Sequence, residues 1–170
     1  GQIPVKGQAA PTLTAQGSVD LRVIRIVAPD VSSGGTVALD VRSSFSRGKP
    51  GVEGQLQLKN VAMTTADAPI GIDKLNGTMS ISNDRVQLSE MTGRMGGGDV
   101  TFGGSITYSP SLSFNVAIQS KSVRLLYPEG LRTLLDANLA FTGTAEASTL
   151  NGRVLIDSLS FTPDFDLAHF

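Results

Sequence analysis

The chain has 170 residues, with 14 Lys and Arg against 15 Asp and Glu and a formal net charge of −1. That balance offers no electrostatic argument for nucleic acid or for an anionic membrane surface, both of which call for a basic patch. It has no Cys, which removes disulfides, thiolate catalysis and thiolate metal sites, and with no Trp and only 5% aromatic residues it gives base-stacking platforms and aromatic cages little to work with.

Taken in chain order, the dominant period is two. Val19, Leu21 and Val23 alternate with Ser18, Asp20 and Arg22, and Val37, Leu39 and Val41 alternate with Ala38 and Asp40. Leu56 and Leu58 follow, then Met79 and Ile81, then Val86 and Leu88. Val100 and Phe102 lead to Ile106 and Tyr108. Leu112, Phe114, Val116 and Ile118 form the longest clean run. Leu139 and Phe141, then Val154 and Ile156, complete the series. Such alternation puts the apolar side chains on one face of a sheet and the Gln, Ser, Thr, Asn and charged residues on the other. The fold class expected is all-β: short, repeating, mostly antiparallel strands.

The breaks carry turn chemistry. Ser82-Asn83-Asp84, Ser109-Pro110-Ser111 and Tyr127-Pro128-Glu129-Gly130 read as turns, and Lys49-Pro50-Gly51 and Ala68-Pro69 as further loops. Leu125, Leu126, Leu131, Leu134 and Leu135 could line one face of a helix, but Pro128 and Gly130 favour strand, turn and strand.

A pattern of Gly, any residue, apolar, any residue, apolar begins at Gly17, Gly35, Gly54, Gly77, Gly104 and Gly152, with a degenerate copy at Gly143. Glycine there suggests strands entered through tight turns that need positive φ. The stretches Gly54 to Met63 and Gly152 to Phe161 share a longer form, in which two residues rather than one separate the second and third apolar positions. A quasi-one-dimensional array of similar hairpins would produce such a repeat.

Little supports catalysis, and the chain is expected not to be an enzyme and to hold no cofactor or metal. The single His, His169, has no motif around it, and Asp157, Asp164 and Asp166 lack Ca²⁺-loop spacing. Gly96-Gly97-Gly98 leads into Asp99-Val100-Thr101-Phe102, a strand and not the helix a phosphate loop needs, so it reads as a turn. Asn76-Gly77-Thr78 matches a glycosylation acceptor but reads first as an Asn-Gly turn. No run of 18 apolar residues is present to span a membrane as a helix. The chain reads as one segment, 1–170, of something longer.

The feature with functional potential is the aliphatic stripe. A closed sandwich or barrel would bury it; an open or folded-over sheet would leave a groove for acyl chains or apolar peptide segments. The candidate groove-lining residues are Val37, Leu39, Val41, Leu56, Leu58, Met79, Ile81, Val86, Leu88, Val100, Phe102, Leu112, Phe114, Val116, Ile118, Leu139, Phe141, Val154 and Ile156.

Residues 52–170 resemble the TamB family, the translocation and assembly module inner-membrane subunits of the AsmA-like superfamily. The resemblance is carried by the segments Gly54 to Val61, Leu75 to Ile81, Gly96 to Val100 with Gly104 to Ile106, Val123 to Leu131, Asp136 to Thr144, and Leu150 to Val154. It implies an elongated, folded-over β-groove with an apolar interior and polar exterior. It implies a periplasmic location within a parent protein anchored in the inner membrane of a diderm bacterium. It further implies phospholipid acyl chains as cargo, or a role in outer-membrane protein assembly with a barrel partner. No nucleic-acid partner is expected. Cut sheet edges would favour self-association, and a closed structural β domain is the remaining alternative.

Overall fold

Backbone hydrogen bonding organises the computed structural model, which describes residues 12–46, 49–65 and 70–162, into nine strands. These are β1 (Thr12–Asp20), β2 (Val31–Ser46), β3 (Lys49–Thr65), β4 (Ile72–Ile81), β5 (Arg85–Met95), β6 (Gly98–Thr107), β7 (Ser113–Leu125), β8 (Leu131–Thr144) and β9 (Ser148–Phe161). They form one antiparallel sheet in the order of the sequence. Short turns between alternating runs dictate this meander, because each strand finds its partner in the next one along the chain. The turns at Ser82-Asn83-Asp84, Gly96-Gly97, Ser109-Pro110-Ser111 and 126–130 lie where the sequence puts them. The helical alternative for Leu125 to Leu135 is not adopted. Ala68-Pro69 lies outside the described residues, as do His169, Asp164 and Asp166.

The sheet does not close into a barrel: β1 and β9 are its two edges. A closed structural domain is therefore ruled out for the described residues. The accessible surface is 11716 Å², against about 8,000 Å² for a compact protein of this mass. A single layer, with no second sheet packed on it, exposes more surface than a compact fold. A flat layer would leave one-face side chains about half exposed, yet Val100 is 1% exposed and Met91 4%. Curling of the sheet toward its apolar side supplies the difference.

The curl has a local cause. Asn60, Lys74, Glu90 and Ser122 each have φ near +50°, and each sits where the ladder register slips. These are β-bulges, which bend a strand and increase its twist. They fall on four strands: Asn60, Lys74 and Ser122 in the halves of β3, β4 and β7 nearest one end of the sheet and Glu90 at the midpoint of β5, so their bends add up along a crease. Two of the bulges are capped by the strand that follows. The Asn60 N–H donates to Asn76 Oδ1 at 2.9 Å, and the Ser122 N–H donates to Asp136 Oδ1 at 2.7 Å. Asp136→Ala removes the acceptor from the second bulge, and a loss of about 1–2 kcal/mol is expected in urea unfolding. Asp136→Asn keeps an acceptor and is expected to recover most of it.

Several expectations are corrected. The strands are not short: they run from 9 to 17 residues. Pro50 and Gly51 lie inside β3, and Asn76-Gly77 lies inside β4, so neither pair forms a turn. Leu21 and Val23 do not extend β1. Residues Leu21–Val23 form a 3-10 turn and Ile24–Val27 a short helix, α1. Asp20 explains the break, because its carboxylate accepts the Arg22 N–H at 3.0 Å and caps the turn. The repeat glycines do have positive φ, except Gly17, but most stand within strands and not at strand entries. At Gly77, φ is +150°, and a Cβ would lie 2.6 Å from Met91 Sδ and 2.8 Å from its Cα. The glycine is there because the neighbouring strand passes too close for a side chain.

Candidate functional site

Residues directly opposite each other in a ladder point to the same face. The register therefore strings the apolar residues into rows that cross the whole sheet. One row runs Gly17, Leu39, Leu56, Met79, Leu88, Gly104, Val116, Phe141, Leu150. A second runs Ala15, Val41, Gly54, Ile81, Val86, Ile106, Phe114, Gly143. In a third, Val37 faces Leu58, and beyond the bulges Met91, Phe102, Ile118, Leu139 and Gly152 continue across. Val100, Ala137 and Val154 lie on the same face in the next layer.

Apart from Leu112, every predicted lining residue thus shares one face of one sheet. Leu112 lies just before β7, outside the paired register, and is 41% exposed. Leu58, Leu88 and Val100 are buried, and most of the others are half-buried. Val154 and Ile156 stand exposed on the edge strand β9. Among the described strand residues, no Asp, Glu, Lys or Arg falls in these rows.

Side-chain size varies along the rows in a way that packs. Phe114 stands directly opposite Gly143, and its ring meets Phe141 diagonally with centroids 5.1 Å apart and planes tilted by 39°. A glycine opposite leaves room for the ring, and tilted aromatic contact at this distance is favourable. The most buried part is the cluster of Leu58, Val61, Leu88 and Met91, with Val37, Met79, Phe102 and Val116 packed against it. Leu21 of the 3-10 turn also packs there, held by Ser33 Oγ, which donates to the Leu21 carbonyl at 2.8 Å.

Val61, Met91, Val123, Ala137 and Thr133 are buried on this face without having been predicted. The bulges hid the first three. Each inserts a residue, so the apolar positions change from even to odd numbers at Asn60 and Glu90, and again at Ser122. The readable signal is a spacing of three between apolar residues, as in Leu58 to Val61 and Leu88 to Met91.

The opposite face is mostly polar, with small or aliphatic residues such as Ala117, Ala140 and Leu155 among the polar ones. Asp40, Gln55, Ser80, Gln87, Ser105, Asn115, Thr142 and Thr149 form one of its rows. Ion pairs sit at the strand ends: Arg22 with Asp20 at 2.5 Å, Arg85 with Asp84 at 3.4 Å and Arg94 with Asp99 at 3.7 Å. Hydrogen bonds from Arg22 hold the Asp20 carboxyl down at about 2. A depressed carboxyl contributes stability above its ordinary value and loses it only as pH falls through about 2. Both side chains reach solvent, Arg22 the more so, and a surface ion pair has little energetic weight. Among the described residues no group of three or more His, Cys, Asp or Glu is placed to hold a metal, and no helix is long and apolar enough to cross a membrane. The arrangement offers surface, shape and water exclusion for an apolar ligand.

Comparison with known proteins adds one match. The family model of the TamB C-terminal domain fits residues 84–169, half of the chain, from the β4–β5 hairpin onward through β9. No curated protein and no solved structure matches the chain. An open antiparallel β-meander with one largely apolar face, together with this match, places the chain in the TamB family.

Proposed function

We propose that this chain is a section of an apolar β-groove along which phospholipid acyl chains move between the two membranes of a diderm envelope. In this reading it works in the periplasm, as part of a parent protein anchored in the inner membrane, and it does no covalent chemistry. One observation carries the proposal: the apolar face crosses nine strands without a single charged side chain among the described strand residues, while the charged residues of the strands and most of their Gln, Asn, Ser and Thr lie on its reverse, beside a few small or aliphatic ones such as Ala117, Ala140 and Leu155. Aliphatic contacts lack direction, so an acyl chain can shift along such a track without breaking specific bonds. Headgroups would stay in water at the open side.

The test is native mass spectrometry of the purified chain, with lipid extraction. Co-purifying phospholipid is expected, and delipidated protein is expected to take it up again from vesicles. A chain that carries none and takes up none contradicts the proposal.

A second reading has its own support. The β9 edge is 14 residues long, and Leu150, Val154, Leu155, Ile156 and Leu159 are all about half exposed or more. Such an edge can add an apolar strand by β-augmentation, as a scaffold for outer-membrane proteins or a barrel-assembly partner would require. The same edge could pair with a second copy. Crosslinks from β9 to polypeptide, with no lipid on the groove face, would favour this reading.

A further inference from the structure

The two ends of the sheet differ in chemistry. β1 runs into the Leu21–Val27 helical connection, and β7 runs into the 126–130 turn. Both strands are odd-numbered in an antiparallel meander, so the two connections lie at the same end. They project the most exposed aliphatic side chains described: Val27 is 83% exposed, Ile26 81% and Leu126 59%, with Tyr127 at 60% beside them. Arg25, Arg124 and Arg132 are exposed around these tips and have no ion-pair partner among the described residues. Asp30 and Glu129 are the acids of these two connections; Asp20 is already held by Arg22. Among the described residues, the turns of the opposite end are Ser82-Asn83-Asp84, Ser109-Pro110-Ser111 and Ala145-Glu146-Ala147, which are polar or small; Asp84 is paired with Arg85, and the apolar neighbours Tyr108 and Leu112 are only 40% and 41% exposed.

We propose that the end bearing α1 and the β7–β8 turn is a membrane-contacting tip, which seats Ile26, Val27, Leu126 and Tyr127 at the headgroup level of an anionic bilayer and sets Arg25, Arg124 and Arg132 against its phosphates. Aliphatic tips next to arginine and tyrosine are the chemistry of an interfacial anchor. The two connections are six strand-spacings apart, roughly 29 Å along the sheet at about 4.8 Å per strand, so one extended surface can meet both. The tip is distinct from the groove face, and either can fail without the other.

The test uses the whole 170-residue chain and vesicles of phosphatidylethanolamine with phosphatidylglycerol. The chain is expected to float with these vesicles, less so with pure phosphatidylcholine. Ile26→Asp with Leu126→Asp is expected to lower the floated fraction about tenfold, since both apolar anchors are lost. Val116→Asp, on the groove face, is expected to float like the unaltered chain, which separates this proposal from lipid carriage. A second measurement does not depend on the double variant folding. The chain has no Trp, so Tyr127→Trp gives a single reporter. Its emission is expected to shift to the blue on vesicles and to be quenched by brominated acyl chains, whereas Tyr108→Trp at the opposite end stays unchanged. No flotation, flotation unaffected by the tip substitutions, or unshifted emission from the Tyr127→Trp variant overturns the proposal. So does a tip that crosslinks to polypeptide and not to lipid.

Discussion

Val116→Asp is expected to abolish phospholipid transfer by the parent protein while leaving the sheet folded. Val116 is the fourth residue of β7, in the row between Gly104 and Phe141, and is half-buried. In the empty groove its carboxylate would still reach water, so unfolding measurements are expected to show a loss of only about 1–2 kcal/mol. An acyl chain lying on that row strips the water away. The carboxylate must then be desolvated without a partner, because no cation is present on this face among the described strand residues. That cost runs to several kcal/mol and recurs for every lipid that passes. Asn115→Asp, one residue away on the polar face, supplies the control and is expected to leave transfer intact. Measuring lipid transfer in cells together with protein level separates a blocked groove from a lost protein.

Gly104→Val is expected to produce the largest loss of stability of any single substitution considered. Gly104 has φ of +122°, and a Cβ there would stand 2.1 Å from the Asn115 carbonyl oxygen on β7. The obstacle is backbone, so no rotamer change relieves it. Either the β6–β7 ladder opens or the strand takes an ordinary φ and loses its register. Strain of this kind costs about 1–3 kcal/mol before any pairing is lost, and lost pairing adds to it. A drop of about 3 kcal/mol or more is expected in urea unfolding. Gly103→Val tests the explanation, because a Cβ at Gly103 meets nothing within 4 Å. It should be tolerated or mildly stabilising, as valine suits a strand.

Much of this architecture was legible because a strand has the simplest possible period. The alternations at Val37 to Val41 and Phe114 to Ile118 gave both the strands and the faces, and the structure puts them in shared rows. The glycine repeat was legible as a pattern but not as a cause. A glycine preceding an apolar pair looks like a turn residue in one dimension, and only the adjacent strand, for example Asn115 beside Gly104, shows that it makes room for a neighbour. The longer repeat has a similar explanation. Its doubled spacer is Lys59-Asn60 in β3 and Asp157-Ser158 in β9, and in both strands the ladder slips there. Two copies of one spacing thus encode two bulges.

The misses have local causes as well. The alternating pattern of Val19, Leu21 and Val23 also fits a helical turn, with Leu21 and Ile24 three apart. The Asp20 cap decides between the two, and a carboxylate accepting from its own backbone two residues on is weakly marked in sequence. The end-to-end division of exposed apolar and polar turns was not legible at all. It requires knowing that β1 and β7 run in the same direction, which follows from the meander and not from any residue.

The most direct test of the central claim places a photoreactive residue at Val116 on one face and at Asn115 on the other, in the parent protein within living cells. Covalent phospholipid adducts are predicted from position 116 and not from position 115, because adjacent strand residues point to opposite sides. Equal labelling from both positions, or adducts to polypeptide alone at position 116, would contradict the account.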